Sequence, residues 1–304
     1  MFHHFHDEKD KKFAQGSITN KQLEKLILKI GPDNIKEPDF WLKNYKKSKK
    51  KIFCFSFDDS LLCQYKYAFP VLQKYNIKSM FFIYSSVLEN KISNFEIFRL
   101  FRYTYFDNFS DFYKKFLKEY KNVMKKNIDL KKYLNKINKI KKNYPFYSNI
   151  DINFRIIRDD ILSNDQFTKI MNTMIGKKTT KKKLSKNLWM KNKQLKNISN
   201  SGHILGLHGY NHPFNFAQLD YSSQVLELKK NSNHLEKISG NKPYIIAYPS
   251  NSYSKNTIKI LKDMKVKYGF RSDFKDNSIF KKRKNNYEIS RLDHTLLIRK
   301  YGIQ

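Results

Sequence analysis

Cysteine is nearly absent: Cys54 and Cys63 are the two in 304 residues, and they do not form a C-x-x-C pair. Two thiols in a chain this long make no disulfide framework, which excludes the small cross-linked secreted scaffolds and points to a reducing compartment. Long apolar runs are missing as well. Residues 1–30 hold no stretch of signal-peptide length, since Met1-Phe2-His3-His4-Phe5-His6 passes straight into Asp7-Glu8-Lys9-Asp10-Lys11-Lys12. No later stretch approaches the ~20 apolar residues of a membrane helix. The expected location is the cytoplasm, with the inner face of a membrane as a variant. Arginine is scarce, eight of 61 basic residues, although the formal net charge is +34. Such a charge ordinarily suggests nucleic acid or an anionic membrane, through counterion release. Here the excess is nearly all lysine, accompanied by abundant Asn, Ile, Tyr and Phe, the residues of A/T-rich codons. Genome composition is therefore the first explanation, and nucleic acid is not the expected partner. Internal repeats are also lacking.

What is present is enough to fold. A hydrophobic content of 40%, with 15% aromatic, can bury a sizeable core, and the length suits one large α/β domain or two small ones. Ile52 to Phe57 is a short apolar run that ends in Asp58-Asp59-Ser60, a buried strand with carboxylates at its C-terminal end. A helix over Leu61 to Tyr75 and a strand over Lys78 to Tyr84 complete a βαβ unit, which implies parallel strands. From about Glu89 to Asn187 the chain turns to lysine-rich stretches with helical spacing, including Phe109 to Lys125 and Leu130 to Lys142. This reads as a helical insertion over 90–187 within a single domain spanning 1–304. Its most basic segment, Lys177 to Lys183, lacks apolar periodicity and reads as a solvated loop, with a polyanion-binding patch as the alternative. After Leu188 the rhythm returns. Helices are expected at Lys191 to Ser199, Phe216 to Ile238 and Lys255 to Lys265, and strands at His203 to Leu207, Tyr244 to Tyr248, Tyr268 to Arg271 and Glu288 to Ser290. Alternation of this kind argues for a parallel α/β architecture.

Three strand ends hold groups with chemistry: Asp58-Asp59, then His208-Gly209-Tyr210-Asn211-His212, then Tyr248-Pro249-Ser250. In parallel α/β folds the loops at the carboxyl ends of the strands converge on one face, so these segments can meet. Adjacent carboxylates after a hydrophobic strand repel unless a cation, hydrogen bonds or a shifted pKa relieves them. Two histidines at i and i+4 plus one carboxylate make a ligand set that leaves positions open for water and substrate. The other carboxylate is then free to act as a general base. Each part alone also has a structural reading: Asp-Asp after a strand serves as a turn or helix cap, and H-x-x-x-H by itself is a weak signal.

Together these segments resemble the polysaccharide deacetylases, the family four carbohydrate esterases that share homology with the nodulation-factor deacetylase. Ser56-Phe57-Asp58-Asp59-Ser60 is similar to the family's T-F-D-D-G motif, and Pro70 to Phe82 to its continuation. Gly202 to Pro213 is similar to the histidine motif, Ala247 to Tyr253 to a variant third motif, and Met1-Phe2-His3-His4 to the first strand of some members. The resemblance covers roughly 1–90 and 188–294. It implies an irregular (β/α) barrel with the helical insertion outside the family pattern. It implies Asp59, His208 and His212 as ligands of a divalent metal, zinc by preference, and Asp58 as the base that activates water. It further implies Ser250, through its backbone N–H, and Tyr248 at the substrate and oxyanion position, and His294 as the proton donor to the leaving amine. His203, at the start of its strand, reads as structural. Gly209 stands where the family has Ser or Thr, and Ser60 where it has a turn glycine. The arginine that braces the catalytic Asp in the family's third motif is missing from Ala247 to Pro249, and Ser250 takes a position that is often aromatic. These departures suggest a substrate other than chitin or peptidoglycan, such as a nucleotide-linked or lipid-linked acetylated sugar, with an anionic membrane surface or sugar phosphates attracted by the basic chain. The position of the insertion between two site-bearing strands suggests a lid or substrate-selecting role. Two other functional classes remain open at this level: a non-catalytic glycan- or polyanion-binding protein on the same scaffold, and an amide hydrolase acting on a non-sugar C–N bond.

Overall fold

The computed structural model describes residues 1–143, 147–273 and 285–303. The chain divides into two compact units, one of residues 1–10, 15–91 and 187–304, the other of residues 11–14 and 92–186.

The first unit is built on six parallel strands in the order of the sequence: β1 (Ser56–Asp58), β2 (Met80–Ile83), β3 (Ile204–Leu207), β4 (Ile245–Ala247), β5 (Tyr268–Asp273) and β6 (Ile289–Leu292). The strands are short and nearly continuous runs of apolar residues because both faces are buried; Met80, Phe81, Phe82 and Ile83 are all covered. Gly206 is required by this packing, since a Cβ there would lie 2.6 Å from the Phe82 ring and 2.8 Å from Ile245. The connecting helices are α1 (Asn20–Ile30), α2 (Pro38–Asn44), α3 (Phe69–Lys74), α10 (Asn192–Asn200), α11 (Tyr221–Ser239), α12 (Lys255–Asp263) and α13 (His294–Lys300). They lay their apolar stripes on the sheet: Leu23, Leu26 and Ile27 of α1, Leu72 of α3, Leu228 and Leu235 of α11 and Leu261 of α12 are fully covered. One aromatic stack runs through this core, Phe2 on Phe57 at 5.2 Å and Phe57 on Phe81 at 4.7 Å between centroids.

The N-terminal segment bridges the two edges of this sheet. Phe2 N donates to Ser56 O and Asp58 N to Phe2 O beside β1, while Met1 N donates to Leu292 O and His294 N to Met1 O at the end of β6. The curled parallel sheet that results is the half-barrel of an irregular (β/α) barrel, the expected fold class.

The second unit is helical. It contains α4 (Asn94–Tyr105), α5 (Phe109–Met124), α6 (Leu134–Asn143), α7 (Asn149–Ile156), α8 (Asn164–Gly176) and α9 (Lys181–Ser185). Phe101, Phe112, Phe116, Ile152, Ile170 and Met171 form its buried interior.

Several local expectations shift. The strand expected from Ile52 begins at Ser56, because Phe53 instead bridges to Ile35. The helix expected from Leu61 starts as a π-turn over Gln64–Ala68 and becomes α-helical at Phe69. The helix expected from Phe216 starts at Tyr221, where Asp220 accepts from Ser223 N as an N-cap. Residues 177–183, read as a loop, enter α9 at Lys181 behind a Thr180 cap. Within this stretch Lys177 pairs with Glu119 at 2.6 Å and Lys181 donates to Asn94 Oδ1 at 2.7 Å.

Candidate metal centre and active site

The carboxyl ends of β1, β3 and β4 deliver the groups singled out in the sequence. Asp59 Oδ1 lies 3.4 Å from His208 Nε2 and 3.5 Å from His212 Nε2, all three side chains being almost completely buried. That oxygen has no hydrogen-bond partner. A buried carboxylate oxygen facing two imidazole nitrogens without a proton-mediated bond is a donor set arranged for a cation. The fit is also metrical: tetrahedral ligands at about 2.0–2.1 Å from one ion stand about 3.3–3.4 Å apart. The three ligand atoms lie within 4.8 Å of one another, the one such group of three found among the described residues.

Local structure fixes each ligand. Asp59 and His212 occupy the left-handed region, at φ 76° and 56°, a conformation that side chains other than Gly adopt at some cost and that clusters at functional sites. His208 Nδ1 is 2.7 Å from Ala247 O, so Nδ1 carries a proton there and the Nε2 lone pair is left facing the same space as Asp59 Oδ1. Asn231 of α11, wholly buried, donates to Ile83 O and the Ser85 hydroxyl and accepts from His208 N, tying the end of β3 to the end of β2. The loop from Gly209 to His212 is held by Glu227, whose carboxylate accepts from Tyr210 N (2.9 Å), Asn211 N (2.8 Å) and Asn211 Nδ2 (2.6 Å). Gly209 has φ 76°, and a Cβ there would lie 3.3 Å from Pro249 Cγ. A Ser or Thr would fit poorly, and Glu227 supplies the bracing that a hydroxyl at this position could give.

Asp58 is positioned differently. Arg291 of β6 grips it with two parallel hydrogen bonds, Nη1 to Oδ1 at 2.6 Å and Nη2 to Oδ2 at 2.7 Å, and also donates to Ser56 Oγ. Burial alone would raise the Asp58 carboxyl, but the Arg291 charge and hydrogen bonds, helped by His208 and His3, hold it below the ordinary carboxylate range. Burial opposes Asp59 ionisation too, and there the adjoining His208, with the His212 and His3 charges, holds the carboxyl well down. The arginine missing from the third motif is thus supplied by β6, from a position 233 residues away in sequence. No short-range signal marks it, because only the parallel strand order brings β6 round to β1.

His3 is the other group that sequence reasoning left without a role. Its Nε2 lies 3.9 Å from Asp58 Oδ2 and 3.9 Å from Asp59 Oδ2, and its side chain is 28% exposed against 4% for either carboxylate. Gln64, in the π-turn, donates to both His3 O and Asp58 O and so fixes the bridging segment to β1.

His294 is placed elsewhere. It is buried, its Nδ1 faces Met1 O at 3.2 Å and its Nε2 faces Gly16 O at 2.8 Å, and its ring stacks on Phe2 at 5.2 Å. Burial lowers its affinity for a proton. Tyr248 is likewise turned away: its hydroxyl donates to Tyr287 O, its N–H to Phe270 O, and its ring stacks on Tyr253. Ser250 is exposed at the tip of the following turn with φ 49°, while the Asn251 and Ser252 amides donate to the Tyr248 and Pro249 carbonyls. Phe214, 46% exposed, stands edge-on to His212 at 6.5 Å. His203 accepts from Ser79 N through Nδ1 and packs edge-on against Phe81, a structural position.

The fold is the irregular (β/α) barrel of the polysaccharide deacetylases, and comparison with known proteins agrees. The polysaccharide deacetylase family model matches residues 161–269, which include His208, His212 and the Tyr248 turn. No curated protein matches the chain in sequence. Among solved structures, IcaB from Ammonifex degensii is 13% identical with TM-score 0.57, over 100% of this chain and 95% of that one. A de-N-acetylase from Aggregatibacter actinomycetemcomitans is 15% identical with TM-score 0.56, covering 99% and 97%. The Streptococcus pyogenes deacetylase PplD, solved with acetate, is 16% identical with TM-score 0.55, covering 96% and 89%. The resemblance to polysaccharide deacetylases read from the histidine and third motifs is therefore present in the family match, and the fold is similar over 96–100% of the chain.

Proposed function

We propose that this protein is a metal-dependent N-deacetylase that hydrolyses the acetamide of an acetylated sugar. The observation that carries the reading is the pairing of a buried Asp59–His208–His212 cation site with a second, separately held carboxylate, Asp58. A binding protein needs the first without the second.

Asp59, His208 and His212 would hold a divalent ion, which supplies a Lewis acid for the acyl oxygen and makes water easier to deprotonate. Asp58, kept ionised by Arg291, accepts a proton from the attacking water. The Ser250 N–H at the tip of the β4 turn donates to the oxyanion that develops. Breaking the C–N bond leaves an amine that needs one proton. His3, beside both carboxylates and open to solvent, gives it in its protonated form; His294, with both nitrogens on main-chain carbonyls, is not so placed. Products are acetate and the free amino sugar, and Asp58 returns its proton to solvent. The exposed Phe214 face next to His212 offers the stacking surface for a sugar ring that Ser250 lacks.

The test is acetate release from N-acetylated monosaccharides, nucleotide sugars and oligosaccharides by zinc-loaded protein, with Asp58→Asn and His3→Ala alongside. Release by the wild type, abolished in Asp58→Asn with zinc still bound, is expected. Turnover that survives Asp58→Asn, or no acetate from any acetamide although zinc binds, would overturn the proposal.

A further inference from the structure

The N-terminal segment changes partners at His3. Phe2 pairs in parallel with Phe57 of β1, whereas Phe5 pairs in parallel with Ile18. Phe2 N donates to Ser56 O and Asp58 N to Phe2 O, so the next rung of an even parallel ladder would run from His4 N to Asp58 O. Asp58 O instead accepts from the Gln64 side chain, and the same Nε2 donates to His3 O at 2.9 Å. Two carbonyl oxygens can be met only by the amino end of an amide, which fixes its orientation. Gln64 is wholly buried, and its Oε1 has no hydrogen-bond partner among the described residues. An apolar side chain would fill this space without stranding an oxygen, so packing alone does not account for an amide here.

The neighbouring Cys63 accepts from Phe5 N at 3.4 Å through its sulfur. The start of the π-turn therefore holds the segment on both sides of the fork, at His3 and at Phe5. Strand alternation puts Phe2 and Phe57 on one face of the short ladder and His3 and Asp58 on the other. The first pair stacks in the core at 5.2 Å, and His3 Nε2 lies 3.9 Å from Asp58 Oδ2 and 3.9 Å from Asp59 Oδ2. Since the segment leaves β1 directly afterwards, the ladder stops short of covering His3, whose side chain stays 28% exposed.

We propose that Gln64 is a positioning residue for proton delivery: by taking the rung that would extend the ladder, its amide holds the His3 imidazole beside Asp58 and Asp59. The role rests on the part given to His3 in the proposed reaction, in which Nε2 passes its proton to the amine nitrogen as the C–N bond breaks and regains one from solvent. Without the amide the ladder either gains a rung or frays, and both movements take the imidazole off the carboxylates.

The test uses the full zinc-loaded chain with ring-labelled histidine and the variant Gln64→Met, which keeps the length of the side chain and loses both donors. The His3 resonance, identified by its loss in His3→Ala, is expected to move toward that of an unstructured histidine, while those of His208 and His212 and the zinc affinity stay as they are. On an N-acetylated sugar, kcat is expected to fall about tenfold to a hundredfold with KM unchanged, and His3→Ala combined with Gln64→Met to be no slower than His3→Ala alone. If Gln64→Met does not fold, Gln64→Asn is measured in the same way, since its amide is one methylene too short to span both carbonyls. An unmoved His3 resonance, or losses that multiply in the double variant, would overturn the role. Should no acetamide be hydrolysed by the wild type, the proposed deacetylation falls, and the His3 resonance still decides whether Gln64 places that imidazole.

Discussion

Arg291 and Glu227 do different work at the same centre. Arg291 sets the charge of Asp58, and Glu227 sets the path of the loop that presents His212. Arg291→Met leaves a buried carboxylate unpaired, at a cost of about 3–5 kcal/mol unless it takes up a proton. The base is then protonated at a higher pH, so the acid limb of kcat against pH moves upward. Arg291→Lys restores charge without the fork and moves the limb less. A pH–rate profile of the three proteins reads this directly, and an unshifted limb in Arg291→Met would remove Arg291 from control of the base. Glu227→Gln places an amide opposite three N–H donors, and about a tenfold loss of zinc affinity is expected, as for other groups that orient metal ligands. Gly209→Ser brings a Cβ to a φ of 76° and to 3.3 Å from Pro249. It is expected to cost about 1 kcal/mol and to weaken zinc binding despite restoring the residue type usual in the family. Competition against a chromophoric chelator measures both.

At the level of elements, His203 links β3 to the turn before β2. It accepts from Ser79 N, so it must be neutral to hold that contact, and burial lowers it to about 4. Since the unfolded chain binds that proton at about 6.5, stability is complete above that pH and falls as pH drops from about 6.5 to about 4. The full loss is about 3 kcal/mol. Urea midpoints against pH should show this slope, and His203→Gln should flatten it. His203 was legible as structural from its place at a strand start, as were the strands themselves, because runs such as Met80-Phe81-Phe82-Ile83 have no other way to be buried. Less was legible where partners are remote. The Asp59, His208 and His212 set was readable since Asp59 and His208 close apolar runs and His212 comes four residues after His208. Arg291 was not, because it lies 233 residues from Asp58 and meets it only through sheet order. His3 and His294 illustrate the same limit. Both flank the first and last strands, and only the hydrogen bonds of Met1 and Gly16 turn one inward and leave the other beside the carboxylates.

For the whole molecule, a cation held by Asp59, His208 and His212 would bind the folded chain and not the unfolded one. Zinc at a hundred times its dissociation constant should stabilise the fold by about 2.7 kcal/mol. A chelator should lower the melting temperature of the wild type by several degrees and leave that of His208→Ala, His212→Ala unmoved. Equal sensitivity in both proteins would place the ion elsewhere.

The N-terminal segment, hydrogen-bonded to β1 on one side and to Leu292 and His294 on the other, also has a meaning in time. Contacts across 291 residues form late, after the entropy of that long loop has been overcome. Folding can therefore assemble the helices and inner strands before the segment that carries His3 docks beside Asp58 and Asp59.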